Sequence, residues 1–108
     1  MSKRPNRLDA LRETAPKLVE LTEQVAYADV WERPELSKRD RSLITVAGLV
    51  AMNRERQLTG HLNRALDNGV TREELIEAVT HMAFYSGWPT ALTAAVIAKD
   101  VFEAREDY

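Results

Sequence analysis

Between Ser42 and Met52 the chain places eight apolar residues and only three others, Ser42, Thr45 and Gly48. Those three fall three apart, so on a helix they line one narrow side. A helix that is apolar nearly all round has to be covered nearly all round. The run therefore predicts either the central helix of the fold or a seam between copies of the chain. Crossing a bilayer takes roughly 20 such residues, and this run is too short. Gly48 costs about 1 kcal/mol relative to Ala in a helix interior, which predicts another backbone passing close on the small-residue side.

The flanking sequence keeps helical rhythm. Residues 1–14 are polar, with Leu8 and Leu11 spaced for one helix face, and read as an extension before a domain at 15–108. Pro16 suits a first helical turn, and Leu18, Leu21 and Val25 carry the stripe of a helix to about Ala28. Glu32-Arg33-Pro34 ends it, with Trp31 placed to pin the connection. Ser37 followed by Asp40 predicts the cap of the apolar helix. Asn53 is positioned to cap the next helix, whose stripe is Leu58, Leu62, Ala65 and Leu66 and whose stop is Asn68-Gly69. Thr71-Arg72-Glu73-Glu74 is a capping box for a helix burying Leu75, Ile76, Val79, Met82 and Ala83. Gly87 closes that helix. Pro89 opens the last one, Thr90 to about Glu103, with Leu92, Val96, Ile97, Val101 and Phe102 as its apolar set. No stretch alternates as a strand would. The expectation is an all-α bundle of about five helices.

At 108 residues such a bundle leaves apolar surface uncovered unless copies associate. With a net charge of -2, and with Asp9 and Glu13 interleaved among Lys3, Arg4, Arg7 and Arg12, no nucleic-acid partner is expected. The chain has no cysteine, which excludes disulfides, thiolate metal sites and thiol chemistry. Two histidines on different helices make no metal site. With no leader-like or membrane-spanning stretch, the expectation is a cytoplasmic protein without a membrane partner.

Chemistry-bearing residues concentrate in His81-Met82-Ala83-Phe84-Tyr85-Ser86-Gly87-Trp88-Pro89. On the predicted helix His81, Phe84 and Tyr85 lie away from the Val79 face. Glu77, His81 and Tyr85 follow one another at i,i+4 along one line. Glu77 is thus placed to orient an acid–base imidazole. The same line equally suits a surface pair with aromatic packing at a subunit contact. His61 sits at the edge of its own helix's apolar stripe, a position that looks into a cleft and that also suits a hydrogen-bonded boundary residue.

Taken in order, Trp31-Glu32-Arg33-Pro34-Glu35-Leu36, Arg39-Asp40-Arg41-Ser42-Leu43-Ile44-Thr45, Leu58-Thr59-Gly60-His61, the segment from Ala65 to Glu74, and His81 to Pro89 resemble the carboxymuconolactone decarboxylase family. The resemblance runs from about Val30 to Phe102. It implies an alkylhydroperoxidase-like helical protomer that self-associates into a ring, a homohexamer or homotrimer. In the thiol-peroxidase branch of that superfamily a Cys-x-x-Cys-x-x-x-His motif, laid on His61, puts its cysteines at Arg54 and Gln57. Thiol peroxidase activity is therefore excluded. The decarboxylase branch typically has Glu where this chain has Gln57.

The family reaction, which uses no metal or organic cofactor, removes CO2 from 4-carboxymuconolactone. The resemblance thus implies a cofactor-free lyase of aromatic catabolism acting on a small carboxylated lactone or related organic acid. Such a reaction needs a group that protonates carbon, a cation for the carboxylate that stays and an apolar wall for the one that leaves. The assignments expected are His61 and His81 for the proton, Arg41 and then Arg39 for the carboxylate, Tyr85 and Trp88 for the wall, with Gln57 at the substrate and Glu77 orienting His81. Two other readings stay open: a lactone isomerase or hydrolase on the same fold, with Ser42 and Gln57 leaving room for it, and a non-catalytic oligomer that binds a small acid.

Overall fold

The apolar run forms most of α3, Lys38–Ala51, with Met52 at its C-cap, and α3 packs against three other helices: α4 (Glu55–Asp67), α5 (Arg72–Ser86) and α6 (Trp88–Glu106). The computed structural model describes residues 7–106. Lys3 and Arg4 fall outside them. All regular elements among the described residues are helical, and six are α-helices where about five were expected; the extra one is α1, Arg7–Leu11. The chain divides into two compact units, Met1–Glu35 and Leu36–Tyr108.

In the first unit, α1 leads to α2 (Pro16–Leu21), with Pro16 in the first turn as its sequence dictates. The α-helix predicted to run to Ala28 instead widens into a π-helix over Thr22–Tyr27. There Ala28 N–H reaches Glu23 O, five residues back, and the Thr22 hydroxyl donates to the Leu18 carbonyl at 2.8 Å. A 3-10 turn, Val30–Glu32, follows, and Trp31 stacks on Tyr27 with ring centroids 5.7 Å apart. Val19 is the buried residue among those described in this unit; the expected stripe of Leu18, Leu21 and Val25 stays exposed. Arg12 is held by Asp9 and Glu23, which neutralises one member of the basic N-terminal set.

The second unit is a four-helix bundle. α3 and α6 each touch both α4 and α5, so α4 and α5 occupy opposite corners. Local signals fix its ends. Ser37 accepts the Asp40 N–H at 3.0 Å, and Thr71 and Glu74 form the complete capping box. Gly69 (φ 97°) and Gly87 (φ 103°) take backbone conformations that side chains resist, and so stop α4 and α5. Asn53 does not cap α4. It adopts φ 55° and turns the chain, and Arg54 takes the cap position without a side-chain bond. Asn tolerates the left-handed region better than most residues, so it serves the turn.

The core joins Val46, Val50, Leu58, Leu62, Ala65, Leu75, Val79, Ala94, Ala98 and Val101. α6 turns a different face inward from the one its large residues suggest. Ala91, Ala94, Ala98 and Val101 are buried, while Leu92 and Val96 are 59% and 61% exposed. Alanines let the α6 backbone approach its neighbours closely, and the bulkier residues are left outside. Ile76, expected in the core, is exposed as well. α3 is central on only part of its circumference, since Ile44 and Met52 are exposed and nothing lies within 4 Å of where a Gly48 Cβ would stand. The close backbone predicted at Gly48 is absent from the described chain.

Candidate functional site

The expected site residues separate onto two flanks of α3. Arg39 and Arg41 are two positions apart, about 160° around a helix, so they point to opposite sides. Arg39 lies toward α5, where it joins Leu43, Glu74, Glu77, Ala78 and His81 around a shallow depression of about 340 Å³. Its guanidinium donates to Glu74 and to Asp40, and these bonds, chiefly that of Glu74, raise its pKa and hold it cationic. Arg39, expected after Arg41 to receive a substrate carboxylate, is thus engaged by two of the protein's own. Glu74 is held below the usual carboxylate range, first by the Thr71 backbone N–H and then by Arg39.

His81 is exposed on the rim of this depression. Its ring lies 4.9 Å from that of Tyr85, tilted by 35°, which is the i,i+4 contact that the sequence implies. Glu77 lines the same depression and forms no hydrogen bond to His81. Tyr85 and Trp88 are 74% and 54% exposed, and Trp88 meets Phe84 edge-to-face at 5.2 Å. Their rings stand on the surface.

His61 belongs to the other flank. On α4, Asn63 and Asp67 accept from Arg105 at 3.1 and 2.9 Å, so that side faces α6. His61 lies about 160° from Asn63, on the edge toward α3. The antiparallel register is set by Asn68, which donates to the Ser42 hydroxyl at 2.9 Å. Counting back equally along both helices puts Thr45 level with about Ala65, and Leu49 level with about His61. On α3 the flank beside His61 carries Arg41, Thr45, Gly48 and Met52; on α4 it carries Gln57, His61 and Arg64.

His61 is partly buried, and its Nδ1 lies out of contact with solvent. Burial pushes the imidazole pKa below 6.5, and the positive charge of Arg64 adds to the effect. The ring is therefore neutral at pH 7, and its protonated form is a stronger acid than an ordinary imidazolium. Arg41 Nε donates to the Leu36 carbonyl at 3.2 Å, which holds the side chain at the start of α3. Arg64, absent from the candidates of the sequence, has a signal there in its i,i+3 spacing from His61.

His61 and His81 are not brought together within one protomer, because α4 and α5 lie on opposite corners. Ser42 is fully buried and receives its hydrogen bond from Asn68, so its hydroxyl is closed to a substrate. That removes the serine from a hydrolase reading. No group of three or more His, Cys, Asp or Glu side chains suited to a metal ion occurs among the described residues, and no helix there is long and apolar enough to cross a membrane.

Comparison with known proteins adds the following. Residues 16–100 match the sequence profile of the carboxymuconolactone decarboxylase family. A 4-carboxymuconolactone decarboxylase from Acinetobacter baylyi is 42% identical over 78 residues, covering 72% of this chain and 58% of that protein. A nitrosuccinic acid decarboxylase from Metarhizium robertsii is 37% identical over 78 residues, 72% of this chain and 54% of its own length. The chain thus spans little more than half the length of these curated relatives.

Proposed function

Since this chain belongs to the carboxymuconolactone decarboxylase family, we propose that it is a decarboxylase of small diacids, 4-carboxymuconolactone or a related lactone or acid among them. The names of both relatives denote compounds with two carboxyl groups, one to be lost and one to be held. The observation that carries the reading is the half-buried His61, its Nδ1 closed to solvent and its pKa lowered by burial, on the flank of the α3–α4 pair that also carries Gln57 and, about two turns further along, Arg41. Loss of CO2 leaves an electron pair on carbon conjugated with a carbonyl, and a proton must be delivered to carbon to complete the reaction. His61 supplies that proton and recovers it from solvent through its exposed edge. Arg41 holds the retained carboxylate as a charge-assisted partner. Gln57, one turn before His61, meets the lactone or its counterpart. The test is ultraviolet-monitored turnover of 4-carboxymuconolactone, with nitrosuccinic acid as second substrate. Loss of CO2 from either supports the reading, and saturable binding of both without CO2 release would sink it in favour of a non-catalytic binder.

The reading includes self-association. Phe84, Tyr85, Trp88, Leu92 and Val96 form an exposed apolar stripe along α5 and α6, and a second copy of the chain is the occupant proposed for it. His81 stands at its edge beside Tyr85, so an assembled form brings His81 next to a neighbouring protomer. Leu92→Glu combined with Val96→Glu is expected to weaken association by roughly a hundredfold or more, since burying unpaired carboxylates costs several kcal/mol. Sedimentation velocity reads this as a drop in mass. An unchanged mass would move the seam to another face.

A further inference from the structure

We propose that α3 packs antiparallel against α3 of a second copy of the chain through Arg41, Ile44, Gly48 and Ala51, and that this seam carries Arg41 of each protomer to Gln57 and His61 of the other. The seam stands on α3 alone. The sharing of Arg41 between copies rests on the function proposed above.

The four residues stand at the 3-4-3 spacing of a helix–helix seam. They lie within about 80° of one another, on the side of α3 opposite the fully buried Val46. Ile44 is 59% exposed there, and Ala51 is exposed as well. Gly48 weakens a helix interior relative to alanine, and its own chain gives no reason for the missing side chain, since nothing stands within 4 Å of a Cβ built there. A backbone arriving from another copy supplies that reason. In an antiparallel pair these positions meet in two layers, each repeated by the two-fold symmetry. One sets Ile44 over the partner's Gly48, a large side chain where one is missing. The other sets Arg41 over the partner's Ala51, the last residue of α3, where helix carbonyls gather negative charge and the final turn has no basic residue of its own. Shape and charge are thus both self-complementary, as an isologous contact between identical chains requires. One helix pair falls short of the roughly 800 Å² per partner of a stable interface. The seam therefore adds to the contact proposed on α5 and α6, and two different self-contacting faces carry assembly past a dimer.

The same layers bear on the His61 flank. Within one protomer the Asn68–Ser42 register sets Arg41 about eight residues from the level of His61, or about 12 Å along the axis. Across the seam Arg41 comes level with the partner's Ala51. That is between the levels of the partner's His61, near Leu49, and the partner's Gln57, near Asn53, and within about 3 Å of each along the axis. The two-fold axis stands perpendicular to the paired helices, so the α4 flanks of both copies fall on one side of the seam, the side toward which Arg41 lies. A carboxylate held by Arg41 is then beside the imidazole of the other copy, and the second α3 excludes water from that side.

The chain has no cysteine of its own, so introduced ones report their own neighbours. Ile44→Cys chains and Gly48→Cys chains, refolded together and mildly oxidised, are expected to form a disulfide-linked pair roughly tenfold faster than either alone. Antiparallel layers bring the two positions, and neither with itself, within the about 4.4–6.8 Å between Cα atoms that a disulfide spans. Lys99→Cys, on the exposed surface of α6, sets the rate of random collision. Gly48→Leu is expected to lower the mass in sedimentation velocity and to unfold in urea no more easily than the wild type, because the added side chain meets nothing in its own protomer. For the shared site, Arg41→Met and His61→Ala are each expected to be nearly inactive. Refolded together they recover up to about a quarter of wild-type turnover, the share of sites that receive both intact residues. The seam is overturned if the mixed cysteine chains link no faster than Lys99→Cys, if either single chain links as readily as the mixture, or if Gly48→Leu keeps the wild-type mass. Mixed Arg41→Met and His61→Ala chains that stay inactive put both residues in one protomer's site and remove the sharing. A wild type that decarboxylates nothing removes the lyase and the sharing with it, while the cysteine and mass results decide the seam by themselves.

Discussion

Replacing His61 with Ala is expected to lower kcat by about 10²- to 10⁴-fold on any substrate the chain decarboxylates, the range that a positioned proton donor contributes. His81→Ala, removing an exposed ring on the opposite corner of the bundle, is the comparison. The pH profile gives His61 a signature of its own. Its pKa lies below 6.5, first through burial and then through Arg64, and the reactive form in this mechanism is the protonated one. kcat/KM, which reports the free enzyme, should therefore fall on the alkaline side of a limb placed below the ordinary histidine value. A bound diacid brings negative charge to the ring and raises its pKa, so the corresponding limb of kcat moves to higher pH. The substrate thus loads its own proton donor. Coincident limbs in kcat and kcat/KM, or full activity in His61→Ala, would remove His61 from the proton step.

The same depression affects stability. As pH falls through about 6.5 the unfolded chain takes up this proton before the folded chain does. Stability therefore declines below that pH and stops declining once the folded-state value is passed. His61→Gln should flatten that segment of the stability profile in urea titrations.

What the sequence made legible was local. The Ser37 cap, the Thr71–Glu74 box and the stops at Gly69 and Gly87 depend on a few neighbouring residues and appear where those residues place them. The His81–Tyr85 ring contact follows in the same way from i,i+4 spacing. The inward face of α6 was not legible, because the helix has alanines on one side and leucine and valine on another, and hydrophobicity favours the wrong one. Close approach of backbones favours the alanines. The separation of His61 from His81 was equally hidden, since it depends on which helices share a side of the bundle and not on any motif. Arg39 and Arg41 look interchangeable as neighbours in sequence. A two-residue step around a helix sends them to different sites, one already filled by Glu74 and Asp40. The π-helical widening at Thr22–Tyr27 left no mark in apolar periodicity.

Leu62→Ala is expected to cost about 2–5 kcal/mol of folding stability, with Leu92→Ala within about 0.5 kcal/mol of the wild-type protomer. The two leucines are chemically identical and differ only in which way the bundle turns them. Leu62 has no exposed surface and sits in the core that also holds Val46, Val50, Ala65 and Leu75. The valines among these are β-branched and held on helices in a preferred rotamer, so they collapse poorly into a vacated space, which favours the upper half of the range. A domain of this size has on the order of 5–15 kcal/mol in total, so the loss removes a large share of it. Leu92 is 59% exposed, and its truncation opens no cavity in the protomer. Urea unfolding at a concentration where association is suppressed separates the two. A Leu92→Ala loss comparable to that of Leu62→Ala would mean that α6 turns its leucine inward and its alanines out, which would overturn the placement of the exposed stripe and the assembly proposed on it.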